Sequence, residues 1–387
     1  MKKRILIVLV AIVLIGGGYY YFSKSKTTAK KISLINSNPQ TSTGPSNTGP
    51  VSPISGVACD NWNKRPIAVM QPADPTARPA AGFSDADMVF EMPVFTNSNT
   101  RLMGVYVCNL PDQIGSIRSA RHDYLPLAKG LDAVYVHWGY SRFAQSLLAE
   151  KILDNIDCLT TSYCSRWPQT GIMQYEDTGY ISKDKIDEAI KALGYHTDDQ
   201  FSGYPHQDEA SVDQRPNGGH LRVAFPGKYG VDYDYDKTSD SYLRTWAGKP
   251  DTDKNNGKRV APKNIVVMTA QDEQITLADE QSYKDKGLLD PWSLVPAEEQ
   301  QGLDYGGVGR YNNIQLGDPW FDTSDSGDAY FYFNGQQYKG TWKKDKSKLD
   351  SKLTFYNSDG SEVKFVPGQI WVEVIEPGQG MTWTPAS

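Results

Sequence analysis

Six residues in the first half of the chain have types suited to gripping an anion or moving a proton: Glu91, Arg101, Arg118, Ser119, Arg121 and His137. Each falls at or just after a short apolar run with strand character. In open α/β sheets ligands settle at such strand ends, often beside a helix N-terminus. Arg118 and Arg121, near a helix start, can clamp a carboxylate or phosphate through paired N–H donors. The competing arrangement is an internal ion-pair network in which they bond Asp87 or Glu91. Ser119, His137 and an acid would make a hydrolase triad. No G-x-S-x-G elbow surrounds the serine, however, and a serine in a cap region is usually a cap. Asp85, Asp87 and Glu91 offer paired carboxylates for glycosidic chemistry, with capping and salt bridging as the plainer use. A ligand-binding surface is the leading expectation and an enzyme the alternative.

Other chemistry has less support. The histidines, His122, His137, His196, His206 and His220, form no H-E-x-x-H pattern, so neither a metal nor a cofactor is expected. Asp251-Thr252-Asp253-Lys254-Asn255-Asn256-Gly257 resembles the start of a calcium loop, but its glycine comes one residue late and Pro262 stands where glutamate belongs. A polar hairpin loop fits better. Trp342, Trp371 and Trp383, with Tyr330 and Tyr332, could present an aromatic face to sugar rings or simply fill a β-rich core. Four cysteines allow three pairings. The favoured one joins Cys59 to Cys108 and Cys158 to Cys164. No C-x-x-C pair points to zinc.

The elements that must position these residues divide at about residue 218. Before it, strand-like runs at Arg65–Met70, Met88–Glu91, Leu102–Cys108 and Ala133–His137 alternate with helical patterns. Asp123 is placed to cap one helix, with Pro126 in its first turn and Gly130 at its end. Ser141 caps a second, and residues 183–194 form a third. After it, strands dominate: Leu221–Phe225, Val231–Tyr235, Tyr242–Trp246, Asn264–Met268, Ala329–Phe333, Gln337–Trp342, Leu353–Tyr356, Val363–Val366 and Ile370–Val374. Asn334-Gly335 is a strong hairpin signal. Residues from about 272 to 300 read as a polar loop or a helix. The expected class is α+β: an α/β lobe with a mixed sheet over residues 56–218, then a β-rich lobe over 219–387.

The N-terminus reads differently. Met1-Lys2-Lys3-Arg4 precedes an apolar run from Ile5 to Phe22, near the lower limit for crossing a bilayer. Positive charge before the run places the N-terminus inside and the body outside. The run ends Tyr19-Tyr20-Tyr21-Phe22, an aromatic belt rather than a small-residue cleavage site, so residues 1–22 are expected to stay as an anchor. No cysteine follows it to carry a lipid. Residues 23–55, rich in Ser, Thr, Asn, Pro and Gly, read as a disordered stalk of roughly 30 Å. The net charge of −6 and pI of about 5.5 argue against nucleic-acid binding, which needs a basic face. The 39% hydrophobic content is enough for a folded body.

Several segments together resemble the YerB-type envelope lipoprotein family, built from paired domains of unknown function. In the N-terminal half these are Arg65–Met70, Arg78–Glu91, Thr100-Arg101, Ile114–Arg121 and Ala133–Ser141. In the C-terminal half they are Tyr242-Leu243-Arg244, Gly248, Asn264–Val267, Gly340–Lys344 and Pro367–Val372. They span nearly the whole body in the family's order. The resemblance implies a surface-exposed, membrane-tethered protein and brings no known reaction. Two departures stand out: an apolar anchor replaces the lipid of many members, and Tyr175-Glu176-Asp177 stands where many carry a His-Asn pair after the arginine matching Arg166. The function expected is a non-catalytic, extracytoplasmic module that binds a cell-wall polymer or an envelope protein. The alternative is a wall-active hydrolase or transferase using the arginine-rich cleft.

Overall fold

Strands buried on both faces read as unbroken apolar runs, and five such segments form the middle of the molecule. They are β1 (Ile67–Pro72), β2 (Met88–Pro93), β3 (Thr100–Tyr106), β4 (Val134–His137) and, much later in the chain, β10 (Ile370–Ile375). The computed structural model describes residues 49–94, 99–167, 174–274, 312–314 and 325–386. Ten strands build its main sheet, completed by β5 (Asn155–Asp157), β6 (Asn264–Thr269), β7 (Ser326–Phe333), β8 (Gln336–Lys343) and β9 (Thr354–Asn357). Their spatial order is β9-β8-β7-β6-β10-β2-β3-β1-β4-β5. The sheet is mixed: β1 runs parallel to β4 and β10 parallel to β2, while β3 is antiparallel to both its neighbours.

Side chains alternate across this sheet, so it has two apolar faces. Ala68 and Met70 join one cluster, together with helices α1 (Leu125–Gly130) and α2 (Arg142–Ala149). Ile67 and Val69 join the other, under α3 (Lys183–Leu193) and a five-stranded sheet. That second sheet runs from Lys249–Pro250 through Ser241–Trp246, Val231–Asp236 and Gly219–Val223 to Met381–Pro385. Ser141 caps α2 by accepting the Ala144 N–H, as expected. Ser182 caps α3, and Gly194 ends it at φ 71°. Asn334 and Gly335 both take positive φ, 51° and 69°, as a type I′ hairpin between β7 and β8 requires. Both disulfides pair as favoured, Cys59 with Cys108 and Cys158 with Cys164.

The molecule is mostly sheet with few helices, and four expectations change. The halves do not fold as an α/β lobe and a separate β-rich lobe. Ile370–Glu373 of β10 pairs in parallel with Met88–Glu91 of β2, so one sheet spans both, and the described residues from 49 onward form one compact unit. The expected stalk does not run to residue 55, because Ser52, Ile54 and Ser55 are buried, and its residues 23–48 lie outside the described residues. Ser52 and Ser55 hydroxyls both donate to Asp87, which also accepts the Val107 and Cys108 N–H groups. Val363–Val366 is no ladder strand; Phe365 makes only an isolated bridge to His206. Asp123 does not cap α1 but lies inside a 3-10 turn, His122–Tyr124, that leads into it.

The anchor over residues 1–22 and most of the 272–300 segment lie outside the described residues. Within that segment, Asp272–Gln274 is a strand paired with Asn312–Ile314. Among the described residues no helix is long and apolar enough to cross a membrane.

Candidate functional site

The C-terminal ends of β1 and β4 and the start of β3 lie at the same edge of the sheet, because β3 runs antiparallel to β1 and Arg101 sits opposite Pro72. Residues 117–121 are threaded along this edge by backbone bonds. The Ile117 N–H donates to Gly179 O, the Arg118 N–H to Met70 O, and the Trp138 N–H to Arg118 O. The Ala120 N–H then reaches Gly139 O. The strand ends thus hold Arg118 and Arg121 beside Arg101.

The three guanidiniums differ in how they are satisfied. Arg118 pairs with Asp177 Oδ1 at 3.2 Å and Asp74 Oδ2 at 3.6 Å. Asp177 is itself fully buried and accepts the Thr76 hydroxyl at 2.5 Å. The Tyr229 hydroxyl donates to Asp74 Oδ1 at 2.9 Å, and burial followed by the Asp74 charge pushes its pKa up. Arg121 Nη1 donates to the Ala120 carbonyl. Arg101 is only 7% exposed, and its Nε and Nη1 find no hydrogen-bond partner among the described residues. Burial, then the neighbouring charges of Arg121 and Arg118, pulls its pKa down to about 9. It is still a cation at neutral pH, held at a cost that burial without a partner always carries. Such an edge can offer a forked donor to a carboxylate or phosphodiester.

Next to the arginines lies an aromatic rim that the candidate set missed. The Arg166 guanidinium is sandwiched 4.1 Å from the ring centres of both Trp138 and Tyr175, and its Nη1 donates to Tyr175 O. Trp167 stacks on Tyr180 with centroids 5.8 Å apart. Trp138 follows β4, and Tyr175 opens the 3-10 turn that carries Asp177, so rim and arginines share their supports. The Cys158–Cys164 loop borders the same place: Asp157 Oδ1 accepts N–H groups from Gly139 and Leu159. A sequence signal existed in Arg166-Trp167, two and three residues after the second cysteine of that loop.

The other candidates are occupied elsewhere. Glu91 points to the opposite face of the sheet from Arg101 and accepts from Thr100 and from the fully buried Arg244. Arg244 also pairs with Asp251 and lies 4.4 Å from the Trp371 ring centre. Glu373, opposite Glu91 in the ladder, accepts the Tyr233 hydroxyl, and burial plus the Glu91 charge pushes its pKa up to about 8. Arg118 does enter an internal ion-pair network, but with Asp74 and Asp177 in place of Glu91 or Asp87. Ser119 Oγ donates to Trp138 O at 3.1 Å. His137 Nδ1 meets Gly139 O at 2.8 Å and Nε2 meets Asn155 Oδ1 at 3.1 Å, while burial lowers its pKa. Serine and histidine therefore make no triad.

The calcium-like loop spends its carboxylate differently: Asp253 accepts N–H groups from Gly82, Ser84 and Asn255. Trp342, Trp371 and Tyr332 are fully buried core residues, and Trp383 and Tyr330 are partly buried and pack against the core. A cavity of about 700 Å³ opens at the other end of the sheet, between α3 and Ile67, Tyr106 and Leu110. It contains none of the candidates, and its buried cation, Arg65, is bound to Asp132 and Asp154.

The mixed sheet that carries Arg101, Arg118 and Arg121 at its strand ends belongs to a known sequence class. Residues 54–196 match the model described as the N-terminal domain of a protein of unknown function (DUF3048), and residues 221–289 and 308–372 match its C-terminal domain. The chain belongs to this family. It is 24% identical over 333 residues to the Bacillus subtilis (strain 168) protein named "Putative lipoprotein YerB", covering 84% of this chain and 86% of that one. The crystal structure of YerB protein from Bacillus subtilis has the same fold, with a TM-score of 0.68 at 23% identity over 86% of this chain and 99% of the other.

Proposed function

We propose that this is a non-catalytic binding module of the cell envelope, held by its N-terminal apolar segment outside the cytoplasm, that recognises an anionic group on a cell-wall polymer or envelope partner. The observation that carries the reading is Arg101. A guanidinium 7% exposed, with its Nε and Nη1 lacking a hydrogen-bond partner among the described residues and with two further arginines nearby, is costly to the fold and useful to an anion. Two disulfides suit an oxidising compartment, and the name of the Bacillus subtilis relative supports membrane attachment.

The test sediments the full chain, in detergent, with purified cell walls and with washed membranes, and follows the supernatant by mass spectrometry. Retention without new products, weakened tenfold or more by Arg101→Gln, is expected. New wall fragments that disappear in the variant would overturn the non-catalytic reading, and retention unchanged by Arg101→Gln would overturn the site.

A further inference from the structure

We infer that the ligand of the arginine edge is an acidic saccharide, its singly charged oxyanion gripped by Arg101 and Arg118 and its ring laid on the faces of Tyr175 and Trp167. This rests on the binding reading above and adds the chemical class of the ligand.

The charge follows from what is already spent. Asp177 and Asp74 answer Arg118, and backbone carbonyl Ala120 O answers one N–H of Arg121. Of the three edge arginines, Arg101 has two buried guanidinium nitrogens without a hydrogen-bond partner among the described residues and no carboxylate paired with it there, so the edge has room for one more anion. A carboxylate or a phosphodiester carries that single charge, and its two oxygens can bond donors on different arginines, such as an Arg101 nitrogen and the Arg118 Nε.

The ring follows from the rim. Tyr175 is 69% exposed and Trp167 43% exposed, yet neither is loose. Arg166 lies against the Tyr175 ring at 4.1 Å and holds its carbonyl at 2.7 Å, and Trp167 lies nearly parallel to Tyr180, at 15°. Each ring is held by one face, against Arg166 or Tyr180, and stays largely open to solvent otherwise. They are preorganised for a flat partner of mixed polarity, the usual employment of Tyr and Trp at interfaces. Two fixed ring faces, tied through the Tyr175–Thr178 turn to the Asp177 that holds Arg118, fit a sugar ring with an acidic substituent better than a ring-free polyanion, which would leave both aromatics bare. The rigid support also places the oxyanion: Tyr175 and Asp177 belong to one 3-10 turn, and Asp177 holds Arg118.

The test titrates the full chain in detergent by calorimetry with four probes. These are a galacturonate oligosaccharide, an oligosaccharide of phosphodiester-linked sugars, ring-free poly(glycerol phosphate), and neutral chitotetraose. Binding of one of the two acidic saccharides is expected at least tenfold tighter than either control, and which one binds identifies the source of the charge. Arg101→Gln and Tyr175→Ala should each weaken it tenfold or more, and Tyr175→Phe should restore it, since stacking needs the ring and not the hydroxyl. Equal binding of the ring-free polymer, with Tyr175→Ala without effect, would overturn the saccharide while leaving the anion edge intact. Chitotetraose binding as tightly would overturn the oxyanion. Failure of both acidic saccharides, with wall retention still dependent on Arg101, would overturn this inference alone. Loss of that retention would remove the binding reading too.

Discussion

A residue kept at a cost is the best clue to use, and Arg101 is the example here. If its charge serves only a ligand, removing it should relieve the fold. Arg101→Gln should raise the melting temperature by about 2 °C or more while abolishing wall retention. Thermal melts beside the sedimentation assay check this, and a destabilised variant would make Arg101 structural. Glu373 allows a second prediction. Its folded pKa of about 8 lies above the ordinary 4.5, so folding favours the protonated form. The stability it contributes is whole below about pH 4 and is lost as pH rises through about 8. Glu373→Gln keeps the shape and cannot ionise. Its melting temperature should gain on the parent's steadily between pH 5 and pH 9, and an advantage that shrinks with pH would refute the assignment. The arginines were legible in the sequence because they stand at strand ends in one short stretch. The Trp138–Arg166–Tyr175 stack was not, because its members meet only in space. Glu91 looked like a ligand residue because its partner, Arg244, comes from the other half of the chain.

At the scale of elements, local signals were read well and long-range ones poorly. The α3 caps, the Asn334-Gly335 turn and the apolar runs of β1 to β4 each rest on neighbouring residues. Val363–Val366 has the composition of a strand, but no ladder reaches it. Buried Phe365 packs near Tyr204 instead, at 5.9 Å between ring centres. The two disulfides have different duties. Cys59–Cys108 closes a sequence separation of 49 residues and pins the start of the body to the chain just past β3. Replacing both cysteines by serine should cost up to about 4 kcal/mol, read by urea unfolding. Cys158–Cys164 closes a separation of 6 beside the aromatic rim. Its double serine variant should melt within a few degrees of the parent and bind walls several-fold more weakly, and unaltered binding would detach that loop from the site.

For the whole molecule, the decisive contact is the parallel pairing of β10 with β2. Parallel pairing needs no turn between its strands, so nothing local announces it. That is why the chain reads as two lobes and folds as one unit. Neither residues 49–218 nor 219–387 should fold alone, because each would expose an apolar strand edge. Circular dichroism of the separate halves should show no cooperative melt, whereas two independent transitions would restore the two-lobe picture. The same architecture governs how the body bears load. Ser52 and Ser55 bond Asp87 at the start of β2, beside the end of β3, whereas Arg101 sits at the start of β3. The two points are separated by about 20 Å of strand. If the body is tethered through its N-terminal segment and holds its ligand at Arg101, as proposed, a pull through residue 49 enters the sheet at one end and the ligand resists at the other. The intervening ladders are strained in shear, with many bonds sharing the tension at once rather than opening one by one like a zip.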